Sequence, residues 1–237
     1  MRLNRSYVIA GLVGLLVGGS AVAVATGQLG GALDPERGRV GEIVRAYILE
    51  HPEIIPEAMQ KLQQRELAKA VTANRDAYET PFASAWAGAE DADVVLVEFF
   101  DYACGFCRKS NADVERLLAE DKKLKVVWRE LPVLGPDSLT AAGVSLAAAE
   151  AGKFQAFHET LFALGRPSEA NIAEAGRAVG VSTAAAPGSQ AEIEKNYQLA
   201  RVVGASGTPT FVVGDQVLQG AVGYDALKEA IAAARAS

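Results

Sequence analysis

Two cysteines, Cys104 and Cys107, are separated by Gly105-Phe106 and are the only cysteines among 237 residues. They follow the apolar run Val94-Val95-Leu96-Val97-Glu98-Phe99-Phe100, and a polar, helix-favouring stretch from Arg108 to Glu120 comes next. That order predicts a buried strand whose exit delivers both thiols to the first turn of a helix. Backbone N–H groups in a first turn lack intrahelical partners and sit at the positive end of the helix dipole, which favours a thiolate. Two cysteines three apart at a helix start can also close on each other. The chemistry that follows is thiol–disulfide exchange. No cysteine remains for a separate structural disulfide. A structural zinc site normally takes four ligands, and the only histidines, His51 and His158, are remote and not spaced as a pair. Paired thiolates do suit Cu(I), a soft ion, so a copper-handling or redox-buffering protein is an alternative of a different class. A redox-inert assembly module is a third.

The elements that must position these thiols are legible around them. Leu124 to Leu131 reads as a second strand, ended by Pro132. Ser138 to Ala151, Phe154 to Leu164, Glu169 to Val179 and Gln190 to Val203 read as four Ala-rich helices separated by Gly or Pro. Thr210 to Val213 and Gln216 to Leu218 flank Gly214-Asp215 as a hairpin, and Tyr224 to Ala234 closes the chain with an amphipathic helix. The expected class is α/β, a small sheet domain with a helical insertion over about 132–205. Residues 81–237 supply this domain, long enough for one well-filled core. Thr80-Pro81 to Asp93 reads as a loosened boundary, with Phe82 and Trp86 as anchors.

Upstream, residues 34–80 are expected to be helical. Val40, Ile43, Val44, Tyr47 and Ile48 follow i, i+3, i+4, i+7, i+8 spacing, and His51-Pro52 breaks that helix. A second helix runs through Ile55, Ala58, Met59, Leu62, Leu67, Ala70 and Val71. Two such helices cannot bury both apolar stripes against each other. Self-association into a homo-oligomer is the expectation, against a hairpin folded back on its own domain.

Arg2 and Arg5 precede an uncharged run from Ser6 to Leu33 whose apolar centre gives way to small residues ending Ala21-Val22-Ala23-Val24-Ala25. Residues 1–25 therefore read as a signal peptide or, uncleaved, a membrane anchor; both export the remainder. The location expected is periplasmic, or periplasm-facing and tethered to the inner membrane. An oxidising periplasm suits a cysteine pair that cycles. Cleavage lowers 23 basic residues to 21 against 29 acidic ones, a net charge of −8. With no basic stripe, nucleic acid is not an expected partner.

Glu98-Phe99-Phe100-Asp101-Tyr102-Ala103-Cys104-Gly105-Phe106-Cys107, the helical block and Gly207-Thr208-Pro209-Thr210 together resemble DsbA-like thioredoxin-fold disulfide oxidoreductases. The likeness runs from about Asp93 to the C-terminus. Ile43-Val44-Arg45-Ala46-Tyr47-Ile48-Leu49-Glu50-His51-Pro52-Glu53 resembles the leader helices of a subgroup that includes suppressor of copper sensitivity protein C and Com1-like proteins. In that subgroup such helices mediate oligomerisation and support isomerase activity.

The resemblance implies a thioredoxin-like fold and a role at each matching position. Cys104 matches the exposed nucleophile that forms a mixed disulfide, and Cys107 the resolving thiol one turn deeper. Glu98 matches a buried acid that passes a proton to and from Cys107, although alternation alone leaves a solvent-facing carboxylate open. Thr208 and Pro209 match the substrate-binding turn, with Pro209 as a cis-proline. Gly105-Phe106 replaces the Pro-His of strongly oxidising members, which implies a milder oxidant closer to isomerases. The implied activity is isomerase or reductase, with a dithiol oxidase as the alternative. No cofactor is implied. Partners would be misfolded or disulfide-bonded exported proteins and a membrane redox partner, a reductase or an oxidase.

Overall fold

The computed structural model describes residues 35–236, and the chain divides into two units at Lys61 and Leu62. The first unit holds α1, Pro35–Glu50, and the start of α2, Ile54–Ala73. The break between them falls at His51-Pro52-Glu53, where proline has no N–H to continue the ladder. Val40, Ile43, Val44 and Tyr47 of α1 are 49% to 62% exposed, so the apolar stripe read from the sequence lies in the open. Among the described residues no helix is long and apolar enough to cross a membrane; the leader expected over residues 1–25 lies outside them.

In the second unit the rest of α2 is followed by a short α3, Arg75–Glu79, and then by a five-stranded sheet. The strands are β1, Trp86–Gly88; β2, Val94–Phe100; β3, Leu124–Glu130; β4, Thr210–Val213; and β5, Gln216–Gln219. They lie in the order β1-β3-β2-β4-β5. β2 and β3 are parallel, joined by the crossover helix α4, Gly105–Glu120; the other pairings are antiparallel. Between β3 and β4 stand α5, Pro136–Glu150; α6, Phe154–Leu164; α7, Glu169–Val179; and α8, Ser189–Val202. The chain ends in α9, Tyr224–Arg235. This is the thioredoxin-like fold with a helical insertion, preceded by an N-terminal helical segment. The β4–β5 hairpin turns at Gly214, whose φ of 60° a side chain rarely adopts.

Both faces of the sheet are covered. On one, Leu96, Phe100, Val126, Trp128 and Phe211 pack with Cys107, Val114 and Leu117 of α4, Phe154 and Phe157 of α6, and Leu227 and Ile231 of α9. On the other, Val97, Phe99, Val127 and Val212 meet Leu199 and Val203 together with Val71 and Tyr78. The last two come from the segment expected to be separate. The two compact units divide at Lys61 and Leu62, upstream of the 80/81 boundary expected from sequence, and Val71 of α2 and Tyr78 of α3 are part of the sheet domain's own core.

Arg129 of β3, 2% exposed, fastens that segment down. Its guanidinium donates to the carbonyls of Ala77, Tyr78 and Thr80, to Asn196 Oδ1 and to the Glu192 carboxylate. A fork of five donors fits this set where a single ammonium would not. Burial holds its pKa below the ordinary value against the opposing charge of Glu192.

The stretch read as a loose boundary contains β1, paired with Lys125, Val126 and Val127 of β3. Three residues, Trp-Ala-Gly, are too few to display alternation, and the pairing comes from β3. The helical segment expected over residues 34–80 breaks a second time at Asn74, whose Nδ2 donates to the Ala70 carbonyl at 2.8 Å.

Candidate active site

β2 ends at Phe100, and a tight turn carries the chain into α4. Cys104 is the N-cap of that helix: its Sγ accepts the Cys107 backbone N–H at 3.4 Å, as an N-cap oxygen would. The same Cys104 thiol donates to the Thr208 carbonyl at 3.2 Å. The loop before β4 thus lies directly against the first sulfur, and the Thr208-Pro209 peptide in it is cis. Both cysteines are free thiols.

Cys104 is not the open side chain that the resemblance implies. It is 5% exposed, because its sulfur tucks against the Thr208 carbonyl; Cys107 is wholly buried. Phe106 between them points outward at 67% exposure, and Arg108 and Lys109 are exposed on α4.

Beneath the pair, Glu98 is wholly buried, so its carboxyl does not face solvent. Parallel register sets Glu98 of β2 opposite Trp128 of β3, and the indole N–H donates to Glu98 Oε2 at 3.1 Å. Glu98 Oε1 has no protein partner, a desolvation cost on the order of 1–3 kcal/mol. Burial pushes the Glu98 pKa up to about 8, with the Trp128 N–H pulling weakly the other way. Burial, and then the nearby Glu98 charge, push the Cys107 thiol up as well. At neutral pH the site therefore holds an un-ionised carboxyl under an un-ionised thiol. Such a group gives up a proton when a sulfur leaves and takes it back when one attacks.

His158, given no role from sequence, lies in an aromatic nest with ring centroids 4.8 to 5.5 Å from Phe100, Tyr102, Trp128, Phe154 and Phe162. Burial pushes its pKa down to about 3, so it is neutral there. Two residues near the cysteines were not singled out by sequence: Trp128 and Asp101. Trp128 is 30 residues from Glu98, and no local pattern joins them. For Asp101 a signal existed, since a charged side chain directly after a strand that is apolar apart from Glu98 needs partners if it is buried.

Comparison with known proteins bears on this geometry. The DSBA-like thioredoxin domain matches residues 95–232. The chain belongs to the DsbA-like thioredoxin domain family. Residues 36–69 match a second family, the copper resistance protein ScsC N-terminal domain. Among solved structures, a linker-deletion mutant of Proteus mirabilis ScsC is 30% identical, with TM-score 0.71, over 86% of this chain and 98% of that one. A thioredoxin-like oxidoreductase from Silicibacter pomeroyi is 37% identical, with TM-score 0.66, over 69% and 99%. Disulfide bond formation protein D of Bacillus subtilis is 29% identical over 61% of this DsbA-like chain and 73% of its own length. The chain spans about a quarter, 24%, of the length of the Na(+)/H(+) antiporters of two Salinispora species that it also matches.

Proposed function

We propose that this DsbA-like protein is an exported thiol–disulfide oxidoreductase acting on protein disulfides, inclined to isomerisation and reduction. One observation carries the reading: the Cys104 sulfur contacts the Thr208 carbonyl at 3.2 Å while Cys107 lies buried behind it over the Glu98 carboxyl. Cys104, as thiolate, attacks a client disulfide; the Cys104–client bond forms, the client S–S bond breaks, and one client sulfur leaves as thiolate. Loss of the Cys104 proton also frees the Thr208 carbonyl for a backbone N–H of an extended client beside Pro209. Near neutral pH a minority of the Glu98 carboxyls, with a pKa of about 8, are ionised. In these Cys107 gives its proton to the carboxylate and displaces the client, whose sulfur leaves as thiolate, or a client thiol resolves the bond instead. In reverse, Cys107 leaves its disulfide and takes the proton from neutral Glu98. The inclination to isomerisation rests on Gly105-Phe106, which supplies no imidazole to stabilise the reduced form; each 1.4 kcal/mol lost there lowers a two-electron potential by about 30 mV. A membrane reductase keeps the pair reduced in this scheme. Refolding of a scrambled disulfide protein tests it: recovery with the reduced protein supports isomerisation. No recovery, together with rapid oxidation of a reduced peptide, identifies a dithiol oxidase with an oxidase partner.

The exposed stripe of α1 supports assembly through the N-terminal helices, which brings several active sites to one misfolded client. Deletion of residues 34–61 spares Val71, Tyr78 and the carbonyls held by Arg129. It is expected to leave a folded, redox-active monomer. Light scattering decides, and an unchanged mass would refute the assembly role.

A further inference from the structure

We propose that Asp101 is a positioning residue that locks an apolar client-binding strap, Pro132–Leu134, to the turn that carries Cys104. This deepens the exchange reading above and rests on it. The side chain of Asp101 is 1% exposed and sits between two stretches of backbone. One carboxylate oxygen accepts the Ala103 N–H at 2.8 Å, immediately before Cys104. The other accepts the N–H groups of Val133 at 2.8 Å and Leu134 at 2.9 Å. The Asp101 main-chain carbonyl takes the Cys104 N–H at 3.0 Å. One residue thus joins the strap beyond β3 to the sulfur-bearing turn beyond β2.

The strap itself is built in an unusual way. Its amides are tied inward, yet Val133 and Leu134 hold their apolar side chains out at 50% and 46% exposure. From the other side the Tyr197 hydroxyl of α8 donates to the Pro132 carbonyl at 2.7 Å, so the strap is pinned at both flanks. With Phe106 also outward, apolar surface adjoins the cysteine turn on more than one element. The occupant it fits is an unfolded client whose apolar side chains flank the cysteine bonded to Cys104. That client is already tethered by the mixed disulfide, and a platform ordered in advance loses little freedom when the client lies down on it. A carboxylate suits the hub because it only accepts, and three donors face it. Asparagine, of the same shape, turns a donor toward at least one of those N–H groups.

The test compares two disulfides with the full-length protein. One is bis(2-hydroxyethyl) disulfide, too small to reach beyond the sulfur; the other is a peptide disulfide whose cysteine is flanked by Leu and Phe. Asp101→Asn is expected to lower kcat/KM for the peptide about tenfold more than for the small disulfide, with the difference in KM. Equal losses on both substrates would make Asp101 a plain support of the turn and overturn the proposal, as would no loss on either. A double variant, Val133→Ser with Leu134→Ser, keeps both amide donors and is expected to lower the same peptide-to-small ratio. An unchanged ratio there overturns the strap even if Asp101→Asn does not fold. Wild-type protein inert toward both disulfides would instead sink the exchange reading itself.

Discussion

Replacing Cys104 with serine is expected to lower exchange with a protein disulfide by roughly 10³-fold or more, whereas Cys107→Ala accumulates covalent client adducts on Cys104. The asymmetry follows from where the two sulfurs sit. Cys104 caps α4 and borders the Thr208 carbonyl, so small movements of the loop before β4 uncover it. Cys107 is wholly buried, and burial with the nearby Glu98 charge disfavours its thiolate. A client therefore meets Cys104 first. Serine at that position keeps an N-cap acceptor but has no thiolate to offer, so the helix survives while the nucleophile is lost. Without Cys107, the mixed disulfide loses a resolving group held in near-attack geometry, an advantage worth many orders of magnitude in effective concentration. Non-reducing electrophoresis with mass spectrometry of the adducts measures both outcomes. Clients attached to Cys107 in a Cys104→Ala protein, or equal residual activity in the two variants, would reverse the assigned order.

Local sequence displayed the parts of this site that lie within one element or one motif. The Cys-x-x-Cys at a strand–helix junction, the helices over Phe154–Leu164 and Glu169–Val179, and the Gly214-Asp215 hairpin all carry their signal within a few residues. Contacts set by strand register did not. Both faces of β2 are buried, so period-two alternation could not say where Glu98 points; its partner Trp128 is fixed by the parallel pairing of β2 with β3. The same non-locality hid β1, whose three residues owe their conformation to β3. It also hid the reach of Asp101 to Val133 and Leu134, 32 and 33 residues away. The packing of the segment before residue 80 is non-local for a related reason. Val71 and Tyr78 continue a helical pattern from upstream, while their burial is decided by Phe99 and Arg129 downstream. Cys104 shows the limit of a motif match, since the motif does not reveal that a carbonyl 104 positions further on covers the sulfur.

The buried acid gives the second large effect: the stability of the reduced protein is expected to fall as pH rises from about 6.5 to 8.5, and Glu98→Gln to flatten that fall. Glu98 has a folded pKa raised by burial from its ordinary 4.5 to about 8. Below 4.5 both folded and unfolded chains hold the proton, and the stabilisation is fully present. Between 4.5 and 8 only the folded chain keeps it, so each pH unit removes ~1.4 kcal/mol from folding stability until the folded carboxyl ionises. His158 acts in the opposite sense. Its folded pKa is pushed down to about 3 by burial, so its contribution is present above 6.5 and is lost as pH falls toward 3. The two slopes oppose each other between 4.5 and 6.5, and only the acid slope continues above that. Glu130, 2% exposed and also pushed up by burial, adds to the acid slope and remains in the variant, so the fall is reduced rather than abolished. Glutamine preserves the volume and the acceptor for the Trp128 N–H but has no proton to lose. Urea unfolding of reduced wild type and Glu98→Gln at several pH values from about 6.5 to 8.5 measures the difference directly. Parallel slopes would mean that Glu98 is already ionised in the folded protein. Neutral Glu98 would then no longer be available to give Cys107 its proton.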